Sequence, residues 1–156
     1  LARDVFRFCE EARRRRPDVV FGADLIAGFP TETETAHKNS MKLITEAGLT
    51  HLHVFGYSAR TGTPAALMPQ IERSVVKQRV AALRQSGDEQ LEGHLKQRVG
   101  TADMLLLEKG NKGYLSGYEK AQLISSDTQE LRTGVLLAVN ILSAANGVVQ
   151  VTPLCS

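Results

Sequence analysis

The chain has 156 residues, 42% of them hydrophobic and 23% charged, with a formal net charge of +2. That is an ordinary globular composition with room for one core or two small ones. No apolar run approaches the roughly 20 residues that a bilayer-spanning helix needs. So small a charge does not announce a nucleic-acid binder, and the distribution of the charges has to carry any such argument.

In chain order, Leu1, Val5, Phe8 and Ala12 recur at helical spacing and predict a first helix. Arg13, Arg14, Arg15 and Arg16 close it beside the negative end of its dipole, and Pro17 stops it. The four arginines read either as a solvated helix end or as phosphate contacts. Val19 to Gly28 is nearly continuous in apolar character, which predicts a parallel strand covered on both faces. Asp24 interrupts that run, and a carboxylate among apolar neighbours needs hydrogen-bond partners. It faces a polar barrel lumen, or else it satisfies local backbone or a basic neighbour.

Gly28, Phe29 and Pro30 turn the chain, and Thr31 with Glu34 has the spacing of a capping box. The helix expected from there turns Ala36, Ser40, Leu43, Ile44 and Ala47 inward. Glu34, His37, Lys38 and Lys42 make its wet face, and Gly48 ends it. Glu32 and Glu34 read as an acid and base pair, or as first-turn anions favoured by the dipole alone.

Thr50 to Phe55 predicts the next strand, with His51 and His53 on one side and Leu52 and Val54 on the other. The two histidines read as a polar strand face, or as two metal ligands lacking a third. The irregular stretch from Gly56 to Pro69 carries two chemical groups, the ring and hydroxyl of Tyr57 and the planar fork of Arg60. Ile71 to Val99 predicts one long helix or two joined at Gly87, with Val76, Val80, Leu83, Leu91 and Leu95 on one face. Arg73, Lys77, Arg79 and Arg84 crowd its first half, as a nucleic-acid contact or a solvated face.

Beyond Val99 the pattern turns to short strands. Residues 101–108, 114–124, 134–142 and 148–151 read as strands, with turns at Lys109 to Gly113 and at Asn146-Gly147 and a polar break from Ser125 to Thr133. Four or five strands in so short a stretch suit a small closed barrel of the oligonucleotide-binding style. Lys109, Lys112, Lys120 and Arg132 stand against Asp103, Glu108, Glu119, Asp127 and Glu130, so any basic surface there is local. Tyr114 and Tyr118 supply stacking rings.

The runs Asp24-Leu-Ile-Ala-Gly-Phe-Pro-Thr-Glu-Thr-Glu34, Leu52-His-Val-Phe55 and Ser58-x-Arg60-x-Gly-Thr-Pro-Ala65 occur in order with one helix between them. Together they resemble the second half of the radical S-adenosylmethionine methylthiotransferases, most of all the branch acting on threonylcarbamoyladenosine in tRNA. The resemblance implies an α/β fold, the C-terminal part of a radical-SAM partial (β/α) barrel over residues 1–99. A small TRAM-like all-β barrel would follow over residues 100–156. It implies a cytoplasmic enzyme that uses S-adenosylmethionine twice, for a 5′-deoxyadenosyl radical and for a methyl group, together with [4Fe-4S] clusters. Its substrate would be the anticodon region of tRNA.

Asp24, Ile26, Gly28, Phe29, Pro30, Tyr57 and Arg60 would lie against the cofactor, and Arg73, Lys77, Arg79, Lys109, Lys112 and Tyr114 against RNA. Sister branches act on isopentenyladenosine in tRNA or on a ribosomal protein, and a noncatalytic RNA-binding fragment is a further reading. The CxxxCxxC loop that holds such a cluster has no counterpart here, since Cys9 and Cys155 are the only cysteines. The chain is therefore expected to be a C-terminal fragment, inactive without the missing N-terminal half of the same protein.

Overall fold

The computed structural model describes residues 2–124 and 132–154. They form two compact units, Leu1–Gln90 and Leu91–Ser156. The first is built from α1 (Ala2–Arg15), β1 (Phe21–Ala27), α2 (Glu34–Ala47), β2 (Leu49–Gly56) and the first part of α3 (Arg73–Arg98). From Leu91 onward α3 belongs to the second unit.

β1 and β2 pair in parallel, with Asp24 opposite His53, Leu25 opposite Val54 and Ala27 opposite Gly56. The expectation that the strands are covered on both faces is corrected. Ala23, Leu25 and Ala27 turn inward, whereas Gly22, Asp24 and Ile26 of β1 and His53 and Phe55 of β2 are exposed. All the covering side chains lie on one face. Ala27, Ile44, Val54 and Leu83 are packed there with Leu25, Met41, Leu52 and Val80. Cys9, Ala47 and Leu49 close a neighbouring cluster with Phe6, Phe21, Ala23 and Leu43.

The face of α1 differs from the expected one. Phe6, Cys9 and Arg13 share the inward side, while Val5 is exposed and Phe8 is 67% exposed; Leu1 lies outside the described residues. Arg13 decides the rotation. Its Nη2 donates to the Ala47 carbonyl at 2.7 Å, at the C-terminus of α2, and its guanidinium lies 4.8 Å over the Phe21 ring. It thereby serves carbonyls that the helix itself leaves without donors. Arg14 and Arg15 pair with Glu11, and Arg16 with Asp18, all in solvent.

α2 begins two residues later than the capping-box spacing predicts. Thr33 is its cap, with Oγ1 accepting from the Ala36 amide at 3.1 Å. Glu32, expected in the first turn, stays outside the helix because its carboxylate is held elsewhere. His37, expected on the wet face, is buried beside that carboxylate, with Nδ1 3.9 Å from Glu32 Oε1. No bend occurs at Gly87, where α3 runs on unbroken. The missing side chain there makes room for the sheet, since a Cβ would stand 2.7 Å from Leu52 Cδ1.

The second unit is a closed five-stranded barrel, β3 (Ala102–Leu107), β4 (Lys112–Tyr114), β5 (Lys120–Leu123), β6 (Leu136–Ala145) and β7 (Val148–Pro153), in the spatial order β3-β4-β5-β7-β6. β5 and β7 run parallel and every other pair antiparallel. The single return strand expected over 114–124 is two strands. The Leu115 amide donates to the Glu119 carbonyl and the Tyr118 amide to the Leu115 carbonyl, so the chain turns between them. Asn146 and Gly147 both take positive φ, as a tight hairpin demands. Most of the polar break, residues 125–131, lies outside the described residues, as does Cys155. Among the described residues no helix is long and apolar enough to cross a membrane.

A carboxylate enters the barrel. Glu119 is fully buried, with Oε1 2.8 Å from His94 Nε2 and 3.8 Å from Arg98 Nη1. Arg98 also pairs with Asp103, which accepts from the Ser116 hydroxyl at 2.6 Å. Burial pushes the Glu119 carboxyl up. The His94 hydrogen bond, the residue's own backbone and the Arg98 charge outweigh that and hold it below the usual carboxylate range. A carboxyl depressed in the folded state stabilises above its unfolded value of about 4.3 and loses that contribution as pH falls through the folded value. Denaturant titrations are expected to show wild type more stable than Glu119→Gln at about pH 5. The difference should shrink below about pH 4.

Candidate functional site

The tips of β1 and β2 lie side by side, and Ile26 of β1 shares one cleft with the end of β2 and the chain leaving it. Beyond Ala27, the Tyr57 amide donates to the Ala27 carbonyl at 2.8 Å and carries the parallel pairing one residue past β2. Gly28 holds φ +80, where a Cβ would stand 2.5 Å from Val76 Cγ2, so the turn requires glycine both in conformation and in space. The Gly28 amide donates to Glu32 Oε2 at 2.6 Å. Arg79 Nη1 donates to the same oxygen and to the Glu32 carbonyl, both at 2.8 Å. These bonds fix the loop so that Phe29 meets the Tyr57 ring edge-on, at 5.2 Å between centroids.

The cleft has a volume of about 500 Å³, with Ile26, Phe55, Gly56, Tyr57, Ser58, Arg60, Thr63 and Ala65 along its walls. Ile26 is 62% and Phe55 55% exposed, so its floor is an apolar surface open to solvent. The Tyr57 hydroxyl is buried and has no hydrogen-bond partner among the described residues. A buried donor of this kind is usually satisfied, by water or by a ligand where protein offers nothing.

Of the residues singled out in the sequence, Ile26, Tyr57 and Arg60 share the cleft, Phe29 touches it through Tyr57, and Gly28 and Pro30 form the adjoining turn. Asp24 is exposed on the open face of the sheet, opposite His53. Among the described residues no three His, Cys, Asp or Glu side chains converge as a metal site. On α3, Arg73 and Lys77 are exposed. Arg79 is corrected: it is 9% exposed and its guanidinium is committed to Glu32, which removes it from any surface for RNA. Arg84, from the same basic run, donates to the Val54 carbonyl at 2.9 Å. Lys109, Lys112 and Tyr114 sit in the second unit. Sequence reasoning missed Glu32 as the anchor of the turn and Phe55 as a wall. The alternation of β2 carried the signal for Phe55, because it places Phe55 on the same side as His51 and His53.

No protein-family profile matches the chain. The chain is 47% identical over 119 residues to the threonylcarbamoyladenosine tRNA methylthiotransferase of Rickettsia prowazekii, covering 76% of the chain and 28% of that protein. It is 32% identical over 147 residues to the tRNA-2-methylthio-N(6)-dimethylallyladenosine synthase of Bartonella bacilliformis, covering 92% of the chain and 32% of that protein. The chain belongs to the methylthiotransferase family. A second synthase of that name, from Alcanivorax borkumensis, is 38% identical over 109 residues, 67% of the chain and 24% of that protein. The chain thus spans about a fifth to a third of the length of the curated relatives it matches.

The Glu32–Arg79 pair gives the site a direct stability test. Both side chains are 10% exposed, so removing one partner leaves the other charged and buried. Arg79→Leu is expected to cost about 3–5 kcal/mol in urea denaturation. Arg73→Ala and Lys77→Ala should each stay within about 0.5 kcal/mol of wild type.

Proposed function

We propose that this chain is part of a cytoplasmic tRNA methylthiotransferase that places a methylthio group on threonylcarbamoyladenosine next to the anticodon. One observation carries the reading: β1 and β2 pair in parallel and both tips close on one cleft, in a chain 47% identical to a protein named for that activity. In this reading β1 and β2 are strands of a larger radical S-adenosylmethionine barrel completed by the rest of the same protein. Its lumen receives their open face, with Asp24 and Ile26, and ligands bind at the C-terminal ends of such strands. The second unit is a TRAM-like module that holds tRNA, with Lys109, Lys112 and Tyr114 among its contacts and Arg73 and Lys77 of α3 adding phosphate contacts.

The cleft suits S-adenosylmethionine. Its volume falls within the range of small-molecule sites, its floor is apolar, and the unpartnered Tyr57 hydroxyl and the Arg60 fork provide polar groups for an adenosyl and an amino-acid end. Bound there, the cofactor supplies the methyl group and the radical chemistry that the family resemblance implies. The chain's own residues bind and orient it: Glu32 and Arg79 hold the Gly28 backbone, and Phe29 buttresses the Tyr57 ring. An iron-sulfur cluster is a different matter. Cys9 is packed against Ala47 and Leu49, and the described residues offer no set of thiolates, so no step through a cluster is assigned to them.

The experiment is a nucleoside analysis of tRNA after deletion of the encoding gene. Mass spectrometry is expected to show threonylcarbamoyladenosine without its methylthio group and methylthiolated isopentenyladenosine unchanged. The reverse pattern would assign the activity named for the Bartonella and Alcanivorax relatives. Retention of both modifications would contradict the reading.

A further inference from the structure

The tightest aromatic pair in the chain lies outside the cleft. In the turn between β4 and β5, Tyr118 takes φ +68, a left-handed backbone that aromatic residues rarely adopt. That conformation lays its ring on Tyr114 at 4.7 Å between centroids and 22° between planes. Only one face of the Tyr118 ring is used. The residue is 70% exposed, and its other face is open to solvent.

The strands set charges beside its partner, Tyr114. Lys112 and Tyr114 share the outward side of β4, because Gly113 between them is buried. Lys120 of β5 is the register partner of Tyr114. Lys109, Lys112 and Lys120 are all exposed, as is one acid beside them, Glu108, whose amide donates to the Lys112 carbonyl; Glu119, the acid of the turn, is fully buried against His94. On the other side of Tyr114, its partner Leu106 and the next partner Leu136 are 42% and 64% exposed. One outward row across four strands therefore runs cation, aromatic, aliphatic, aliphatic.

We propose that the exposed ring of Tyr118 is a stacking platform for one unpaired base of an RNA strand, with Lys112 and Lys120, the neighbours of its partner Tyr114, taking the flanking phosphates. The inference deepens the tRNA reading above and rests on it. Stacking on an aromatic ring accepts any base, and cations alongside track the backbone, so the surface fits single-stranded RNA in preference to a paired helix whose bases already stack on each other. The local lysines supply what the balanced charge of the whole unit does not.

The test uses the full chain and a fluorescent single-stranded RNA of about eight nucleotides, within the span that one small β-barrel covers. Tyr118→Ala is expected to weaken binding by about 5- to 100-fold, and Tyr118→Phe, which keeps the ring, by less than twofold. Lys112→Gln and Lys120→Gln should each lower the slope of log affinity against log salt by about 0.7. With three tyrosines and no tryptophan in the chain, RNA should quench tyrosine emission in wild type and quench it less in Tyr118→Ala. Unchanged affinity for Tyr118→Ala, in a variant whose thermal melt matches wild type, overturns the platform and leaves the tRNA reading standing. Failure of the wild-type chain to bind any RNA, structured tRNA included, overturns the platform together with the tRNA-holding role given to the second unit.

Discussion

The buried carboxylate of Glu32 governs how the first unit presents its strand ends. It takes the Gly28 amide and the Arg79 guanidinium at once, and thereby ties the loop after β1 to α3 across 47 residues of sequence. Burying an ionised side chain is costly unless its partners are close and well aligned, and here both are. The loop has little freedom left. With Gly28 fixed, Phe29 reaches Tyr57, and the chain leaving β2 continues the parallel pairing through the Tyr57 amide. Two strand ends that would otherwise carry independent loops are tied to each other and to α3.

The barrel solves a related problem differently. Its core is aliphatic, built from Leu95, Leu105, Leu107, Leu115, Leu123, Val139, Ile141, Val149 and Val151. The carboxylate of Glu119 enters from the β4–β5 turn and is met by His94 and Arg98 of α3. The final turns of α3 thus close the barrel with charge as well as with Leu95. The turn that buries Glu119 is the same one that lifts Tyr118 into solvent, so one local conformation both anchors the fold and displays a ring.

Much of this was legible in the sequence, because period and punctuation report on local structure. The alternation in His51 to Phe55, the apolar run before Gly28, the Gly48 stop and the Asn146-Gly147 turn identify elements that the structure contains. What could not be read was set by partners distant in sequence. Arg13 belongs to the inner face of α1 because the end of α2 needs its donors, and Arg79 is buried because Glu32 is there. The helix cap moved from Thr31 to Thr33 for that same reason. Gly87 reads locally as a bend, yet it is a gap for Leu52, a fact visible only once the helix lies on the sheet. For the candidate site, the sequence pointed to Ile26, Phe29, Tyr57 and Arg60 but not to the ion pair that positions them.

We propose that the two strand tips form one wall of an adenosyl pocket. The most direct measurement is a titration of isotopically labelled chain with S-adenosylmethionine, followed by amide and methyl NMR shifts. Saturable shifts are expected at Ile26, Gly28, Phe29, Gly56 and Tyr57, with no comparable change in the barrel. Shifts that map elsewhere, or none at all at millimolar ligand while the β1–β2 pairing is intact, would contradict it.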